Sequence, residues 1–205
     1  MSFAIRNDWV DRKGSVSSEE EHGHDEDEHE EEEGHEEELE VQYFDTDSSA
    51  TSVAFQIDRQ INELFSATLN LASVEKTPAT VELFMNGPHL ATARYEVGNP
   101  NFDNERSNNV ELTLDYEGDA FFGSVTVYNN DIDNYTYLQD ETEAEHDEHE
   151  DDHGGLIQAS YMQQNAEFSG YEIEIGTVIE VAQGDLTVSY GRDSVSAKFK
   201  SGGYV

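Results

Sequence analysis

The sequence predicts an all-β protein: an antiparallel up-and-down sheet forming part of a transmembrane β-barrel, with long acidic, histidine-rich loops at one end. Three observations lead there. Apolar and polar residues alternate with period two wherever the chain is not highly charged. The connections alternate short and long. Acids stand at strand centres, where a water-soluble sheet keeps its core.

The elements follow in order. Alternation is plain in Val53-Phe55-Ile57, in Val110-Leu112-Leu114-Tyr116, in Tyr171-Ile173-Ile175 and in Leu186-Val188-Tyr190, each interleaved with polar residues. That is the pattern of a strand with one apolar face. Strands are expected over 2–11, 49–58, 63–75, 107–117, 120–138, 156–178 and 185–199. No amphipathic helix is evident. Short connections fall at 59–62, 118–119 and 179–184, and long ones at 12–48, 76–106 and 139–155. In an up-and-down sheet successive connections lie at opposite ends, so every long loop gathers at one end. That asymmetry marks an outer-membrane barrel wall, whose apolar face meets lipid. A soluble β-sandwich alternates in the same way; loop asymmetry and the strand-centre acids Glu111, Asp115, Glu172 and Glu174 favour the barrel. The aromatics Tyr95, Phe102, Tyr128, Tyr135 and Tyr137, near strand ends on the loop side, are expected in an interfacial girdle.

Two of the long loops are chemically unlike the rest. Residues 19–40, "EEEHGHDEDEHEEEEGHEEELE", and 140–153, "DETEAEHDEHEDDH", hold 24 of the 47 acids, seven of the eight histidines and none of the ten bases. The formal net charge is −37. Such a chain repels nucleic acid and anionic membrane surfaces and attracts cations. With no cysteine, thiolate metal sites and cysteine catalysis are excluded. Like charges at helical spacing oppose a helix in these runs, and disorder is expected.

Imidazole and carboxylate together suit Zn²⁺, and Cu²⁺ or Ni²⁺ as well. His22, His24, His29 and His35 lie in the first run and His146, His149 and His153 in the second. The spacing His146-x2-His149-x3-His153 would put three imidazoles on one face of a metal-induced helix, and His22-x-His24 would align along one side of an extended segment. Calcium binding through carboxylates would leave the histidines unexplained. The other reading is a solvated acidic loop with incidental histidines. His89 stands alone, after Gly87-Pro88; it either contributes to a more ordered metal site or closes a turn. No enzyme is indicated: "HDEHEDDH" is not H-E-x-x-H, and there is no G-x-S-x-G and no phosphate loop.

Residues 75–109, "EKTPATVELFMNGPHLATARYEVGNPNFDNERSNN", followed by "VYNNDIDNYTYL" (127–138), "QNAEFSGYEIEI" (164–175) and "DSVSAKFKSGGYV" (193–205), resemble TonB-dependent outer-membrane receptors. The combination of Asn-Gly-Pro-His, Gly-Asn-Pro and Asp-Asn-Tyr is most similar to the zinc-uptake branch. The resemblance implies residence in the outer membrane of a Gram-negative bacterium and uptake of a divalent metal ion as cargo, with no cofactor required. Outer-membrane lipid surrounds the barrel in such proteins. Coupling to the TonB system runs through a plug domain that this sequence lacks. No signal peptide is seen, and a receptor of this kind has a much larger barrel. The expectation is therefore that residues 1–205 are one partial barrel domain, a C-terminal-half fragment. Two rivals stay open: a soluble acidic β-protein that buffers divalent metals, and a surface barrel whose loops bind protein partners.

The two runs carry a test of their own. Imidazole must be neutral to bind metal, and it titrates near pH 6.5, against about 4 for carboxylates; the surrounding acids raise the histidine values. Zinc affinity of peptides 19–40 and 140–153, measured by calorimetry, is expected to fall as pH drops from about 8 to about 6, where the carboxylates stay ionised. An unchanged affinity across that window, with equal calcium binding, would reject histidine ligation.

Overall fold

The computed structural model describes residues 1–18, 40–141 and 155–205. Seven long strands form an antiparallel meander: β1 (Ser2–Ser18), β2 (Glu40–Gln60), β3 (Phe65–Lys76), β6 (Glu105–Glu117), β7 (Phe121–Asp140), β8 (Ile157–Val181) and β9 (Gly184–Phe199). The helix α1 (Thr80–Phe84) and the hairpin β4 (Asn86–His89) and β5 (Arg94–Val97) interrupt the long connection between β3 and β6. β8 has two neighbours along one edge. Its first residues pair in parallel with β5, and from Ala166 onward they pair with β9.

The seven expected strands are all present, and the short turns close at the expected end. Two expectations need correction. The first long loop is shorter than 12–48, because β1 and β2 stay in register from Arg12↔Thr46 out to Ser18↔Glu40. Side chains reinforce that ladder: Lys13 Nζ donates to Asp45 Oδ2 at 2.8 Å and Arg12 to Ser48 Oγ at 2.9 Å. The 76–106 connection also holds a helix of 5 residues and a hairpin where only loop was expected. About ten residues of tilted strand cross a bilayer, whereas β2 has 21 and β8 has 25. The surplus of both strands projects beyond the apolar band.

Registers across the sheet sort the residues into rows. On one face Ile57, Leu69, Leu112, Val127 and Tyr171 follow one another from β2 to β8, and Ala67, Leu114, Val125 and Ile173 form the row below. On the other face one row is Asp58, Thr68, Thr113, Thr126, Glu172 and Asp193, flanked by rows through Glu111 and Asp115–Ser124–Glu174. The exposures are inverted relative to a soluble sheet. Val110, Leu112, Leu114, Val125, Val127, Ile175 and Val188 are exposed, while Glu111, Thr113 and Asp115 are half-buried on the concave side. The buried apolar residues among those described are Ala50, Leu83, Ile132, Ala159 and Ala166. Among the described residues no second layer covers the apolar face. Full burial of such a side chain contributes roughly 1.5–3 kcal/mol. Leaving these seven half-exposed to water forfeits roughly 5–10 kcal/mol, comparable to the stability of a whole domain. Hydrocarbon removes that penalty.

The girdle expectation is also corrected. Tyr128 shares a register with Glu111 and Gly170 and faces the concave side. A β-bulge between Ile132 and Tyr135 turns the odd residues of β7 from the apolar face to the concave one. Asn134 absorbs the bulge with φ 56°, a conformation asparagine tolerates. Its N–H donates to Asn165 Oδ1 at 3.0 Å and its amide to the Asn104 carbonyl at 3.2 Å. Tyr135 consequently packs edge-on against Phe168 and Tyr137 against Phe199 on the concave face, with Tyr137–Phe199 centroids 4.7 Å apart. Tyr95 belongs to β5, and Phe102 lines an open depression with Ser49, Glu75, Asn104 and Arg106. At the tight-turn end the apolar face carries Phe65 against Tyr116 at 5.1 Å and the exposed Phe121.

In lipid vesicles, Leu112→Arg or Val188→Arg is expected to destabilise the membrane-inserted sheet by roughly 2–4 kcal/mol near mid-bilayer, measured by reversible unfolding. Thr113→Arg and Thr187→Arg, in the adjacent positions of the same strands, should cost distinctly less. Equal costs on both faces would contradict the lipid-facing assignment.

Candidate functional site

Seven of the histidines named above, His22, His24, His29, His35, His146, His149 and His153, lie outside the described residues. Their roots are described. The first run leaves the sheet at the Ser18↔Glu40 pair and the second at Asp140↔Ala159, both at the end opposite the tight turns. The second root is closed by Glu141 N–H to the Gln158 carbonyl at 3.0 Å and by Gln158 Nε2 to Glu141 Oε1 at 2.6 Å. The two roots are about four strand spacings apart, or roughly 19 Å.

The loop between β3 and β6 comes down beside the second root. Arg94 makes a two-pronged contact with Asp140, Nε to Oδ1 at 2.6 Å and Nη2 to Oδ2 at 2.8 Å. The β4–β5 hairpin is thus tied to the first residue of the 140–153 run, while Ile157 N–H bonds the Ala93 carbonyl. At the other end of the loop, Phe84 of α1 stacks on Phe44 of β2, with centroids 5.5 Å apart. Gly98 makes the close packing of α1 against β5 feasible. A Cβ there would meet the Leu83 and Met85 backbone at 2.8 and 2.9 Å, and the Gly98 N–H donates to the Met85 carbonyl.

His89 sits in this hairpin. Its carbonyl accepts from the Thr92 N–H at 3.1 Å, closing the turn. Its ring does something else: Nδ1 lies 2.6 Å from Glu96 Oε1. Glu96 is 4% exposed and is the one buried charged residue among those described. It also accepts from Thr92 Oγ1 and from the Tyr161 hydroxyl, both at 3.2 Å. Burial by itself would push the Glu96 carboxyl up. Hydrogen bonds from His89 and Tyr161, the charge of His89 and the Thr92 hydroxyl outweigh it and hold the carboxyl below the usual carboxylate range. Sequence reasoning missed Glu96, Thr92 and Tyr161. Glu96 looks like one polar residue of an ordinary alternating strand, and its burial depends on contacts 65 residues away.

Among the described residues, no three His, Asp or Glu side chains come together to hold a metal ion. The remaining charged feature is the concave wall. The rows through Glu111, Glu172 and Asp115 hold six acids, Asp58, Glu111, Asp115, Glu172, Glu174 and Asp193, and between β2 and β9 no lysine or arginine shares those rows. Asn70 donates to Glu111 at 2.8 Å, and Thr113 pairs with Thr126 at 2.9 Å.

An antiparallel sheet, apolar outside and polar inside, with tight turns at one end and long histidine- and acid-rich connections at the other, is the wall of an outer-membrane β-barrel. The chain matches the family "TonB dependent receptor-like, beta-barrel" over residues 2–204 and belongs to it. It is accordingly an outer-membrane protein of a Gram-negative bacterium, and its family comprises receptors and transporters rather than enzymes. Two solved structures share the fold. The copper transporter OprC is 15% identical with a TM-score of 0.55, the match covering 77% of this chain and 21% of that one. The siderophore receptor PirA from Pseudomonas aeruginosa is 16% identical with a TM-score of 0.51, covering 96% and 37%. The chain thus spans between a fifth and two-fifths of the length of these relatives.

The depressed Glu96 value fixes the sign of a pH effect. A carboxylate held below its unfolded value of about 4.3 adds stability that is fully present above that pH. This contribution is lost as pH falls through the folded value. Amide-exchange protection of residues 86–97 is therefore expected to hold down to about pH 4.5 and to decline below it. In Glu96→Gln the same segment should show no such acid step.

Proposed function

We propose that this chain is part of a TonB-dependent receptor that takes up a divalent metal ion, zinc in the first place, with its histidine- and acid-rich loops capturing the ion outside the cell. The observation that carries the reading is the common end from which both runs arise, above a concave wall whose acid rows between β2 and β9 contain no lysine or arginine. His22, His24, His29 and His35 on one hairpin, and His146, His149 and His153 on another, supply imidazoles within a strongly negative field. A cation drawn to the rim then meets His89 and, further down, Asp58, Glu111, Asp115, Glu172 and Glu174. The 21 residues from 19 to 39 are long enough, at up to ~3.3 Å each, to reach across the distance between the two roots.

Such capture is collective and weak at each position, which suits delivery better than storage. Metal is the cargo here and no resident cofactor is required. Energy for passage would come from the TonB system acting on a plug domain. Copper is the specific competitor to zinc, since a solved relative is named a copper transporter and copper also binds imidazole strongly.

The test uses the full-length receptor. Single His→Ala changes at 22, 24, 29 or 35 are expected to leave zinc binding and growth on limiting zinc nearly unchanged. Replacing the four together should reduce the number of zinc ions bound and slow growth under limitation. Loss of all binding from one substitution would indicate a single preorganised site and overturn collective capture. Unchanged zinc binding after removal of both runs would overturn the function itself.

A further inference from the structure

We propose that Glu96 is a positioning residue that fixes His89 as an Nε2 ligand for a divalent metal ion, making an ordered stopping point at the foot of the second acidic run. The inference rests on the metal-uptake reading given above and adds to it a specific site and a specific proton.

The geometry carries it. In the β4–β5 hairpin Gly87 is opposite Glu96 and His89 is opposite Arg94, so His89 and Glu96 are diagonal neighbours on one face. Gly87 has no side chain to fill the place across from Glu96, and nothing stands within 4 Å of where its Cβ would be. The His89 ring can therefore reach back to the carboxylate, at 2.6 Å. The Glu96 side chain is 6% exposed and that of His89 49%. One partner is anchored inside and the other faces out.

An ionised carboxylate only accepts hydrogen bonds. Glu96 Oε1 already takes the Thr92 hydroxyl and Oε2 the Tyr161 hydroxyl. Its remaining demand falls on His89 Nδ1, which must carry a proton to satisfy it. A neutral imidazole protonated at Nδ1 has its free lone pair at Nε2. Among the described residues, no hydrogen bond occupies Nε2. An imidazole whose second nitrogen donates to a carboxylate is the arrangement that orients histidine ligands in metal sites and makes them more basic. A purely structural ion pair has no use for this asymmetry of burial. The position is also right for delivery: Arg94, paired with His89, is locked to Asp140, where the second run begins.

The test is histidine-selective ¹⁵N spectroscopy on the full-length receptor, with His89 assigned from His89→Gln. At pH 8 without metal, His89 is expected in the Nδ1–H form, and added Zn²⁺ should shift its Nε2 resonance. In Glu96→Gln the zinc midpoint read at His89 should rise about 10- to 100-fold, with the other histidines unmoved. Tyr161→Phe keeps the His89–Glu96 bond and removes one brace, so a smaller rise, under about tenfold, is expected. That variant also keeps the test valid if Glu96→Gln disturbs the hairpin. An Nε2–H tautomer in the unsubstituted protein, or the same zinc midpoint at His89 with and without Glu96, would overturn the proposal. Zinc that shifts the histidines of the runs but not His89 would sink this inference and leave collective capture standing. Zinc that shifts none of them would sink both.

Discussion

Everything in this protein depends on one constraint: hydrocarbon offers no hydrogen-bond partner to a backbone amide or carbonyl. A chain crossing it as strands must close every ladder with its neighbours, and one side of each strand must then be apolar. The continuous pairing of each long strand with its neighbours and the exposed row through Leu112 and Val127 are two results of that requirement. The concave polar face is the third. Freed from any need to pack a core, it can hold acids such as Glu111 and Glu172 that a two-layer sandwich would exclude.

The same constraint relaxes at the rim, and the structure departs from regularity there. The bulge at Asn134 sits where β7 leaves the apolar band, and it moves two tyrosines to the concave side. Mid-membrane, an unpaired amide of that kind would be costly. At the rim Asn165 and Asn104 accommodate it. The helix α1 and the β4–β5 hairpin lie at this end as well, because only outside the apolar zone can a chain turn and offer polar backbone to side chains and water.

The acidic runs set a mechanical problem. Like charges at this density push their own attachment points apart, so a loop of this composition needs firm roots. The ladder continued to Ser18↔Glu40 and the Arg94 grip on Asp140 are such roots. The second one also fixes where His89 stands. A buried carboxylate with three donors around it, in a chain this acidic, is kept ionised by local bonds, whereas the exposed acids are kept so by water.

The sequence by itself determined the fold class, the seven long strands, the end at which each connection lies and which face is apolar, because period-two alternation is a local property. It also marked the histidine and acid runs, since composition needs no structure to be read. What it could not determine depends on contacts far apart in the chain. One inserted residue near Asn134 reversed the facing of Tyr135 and Tyr137, and no local pattern announces which residue a bulge will skip. The extra length of β1 and β2 follows from their pairing with each other, not from the alternation of either. The Glu96 environment was assembled only in the tertiary structure, by Tyr161 from β8 and Thr92 from the adjoining turn. Burial and partnership of that carboxylate are properties of the folded neighbourhood, and the five letters "ARYEV" do not contain them.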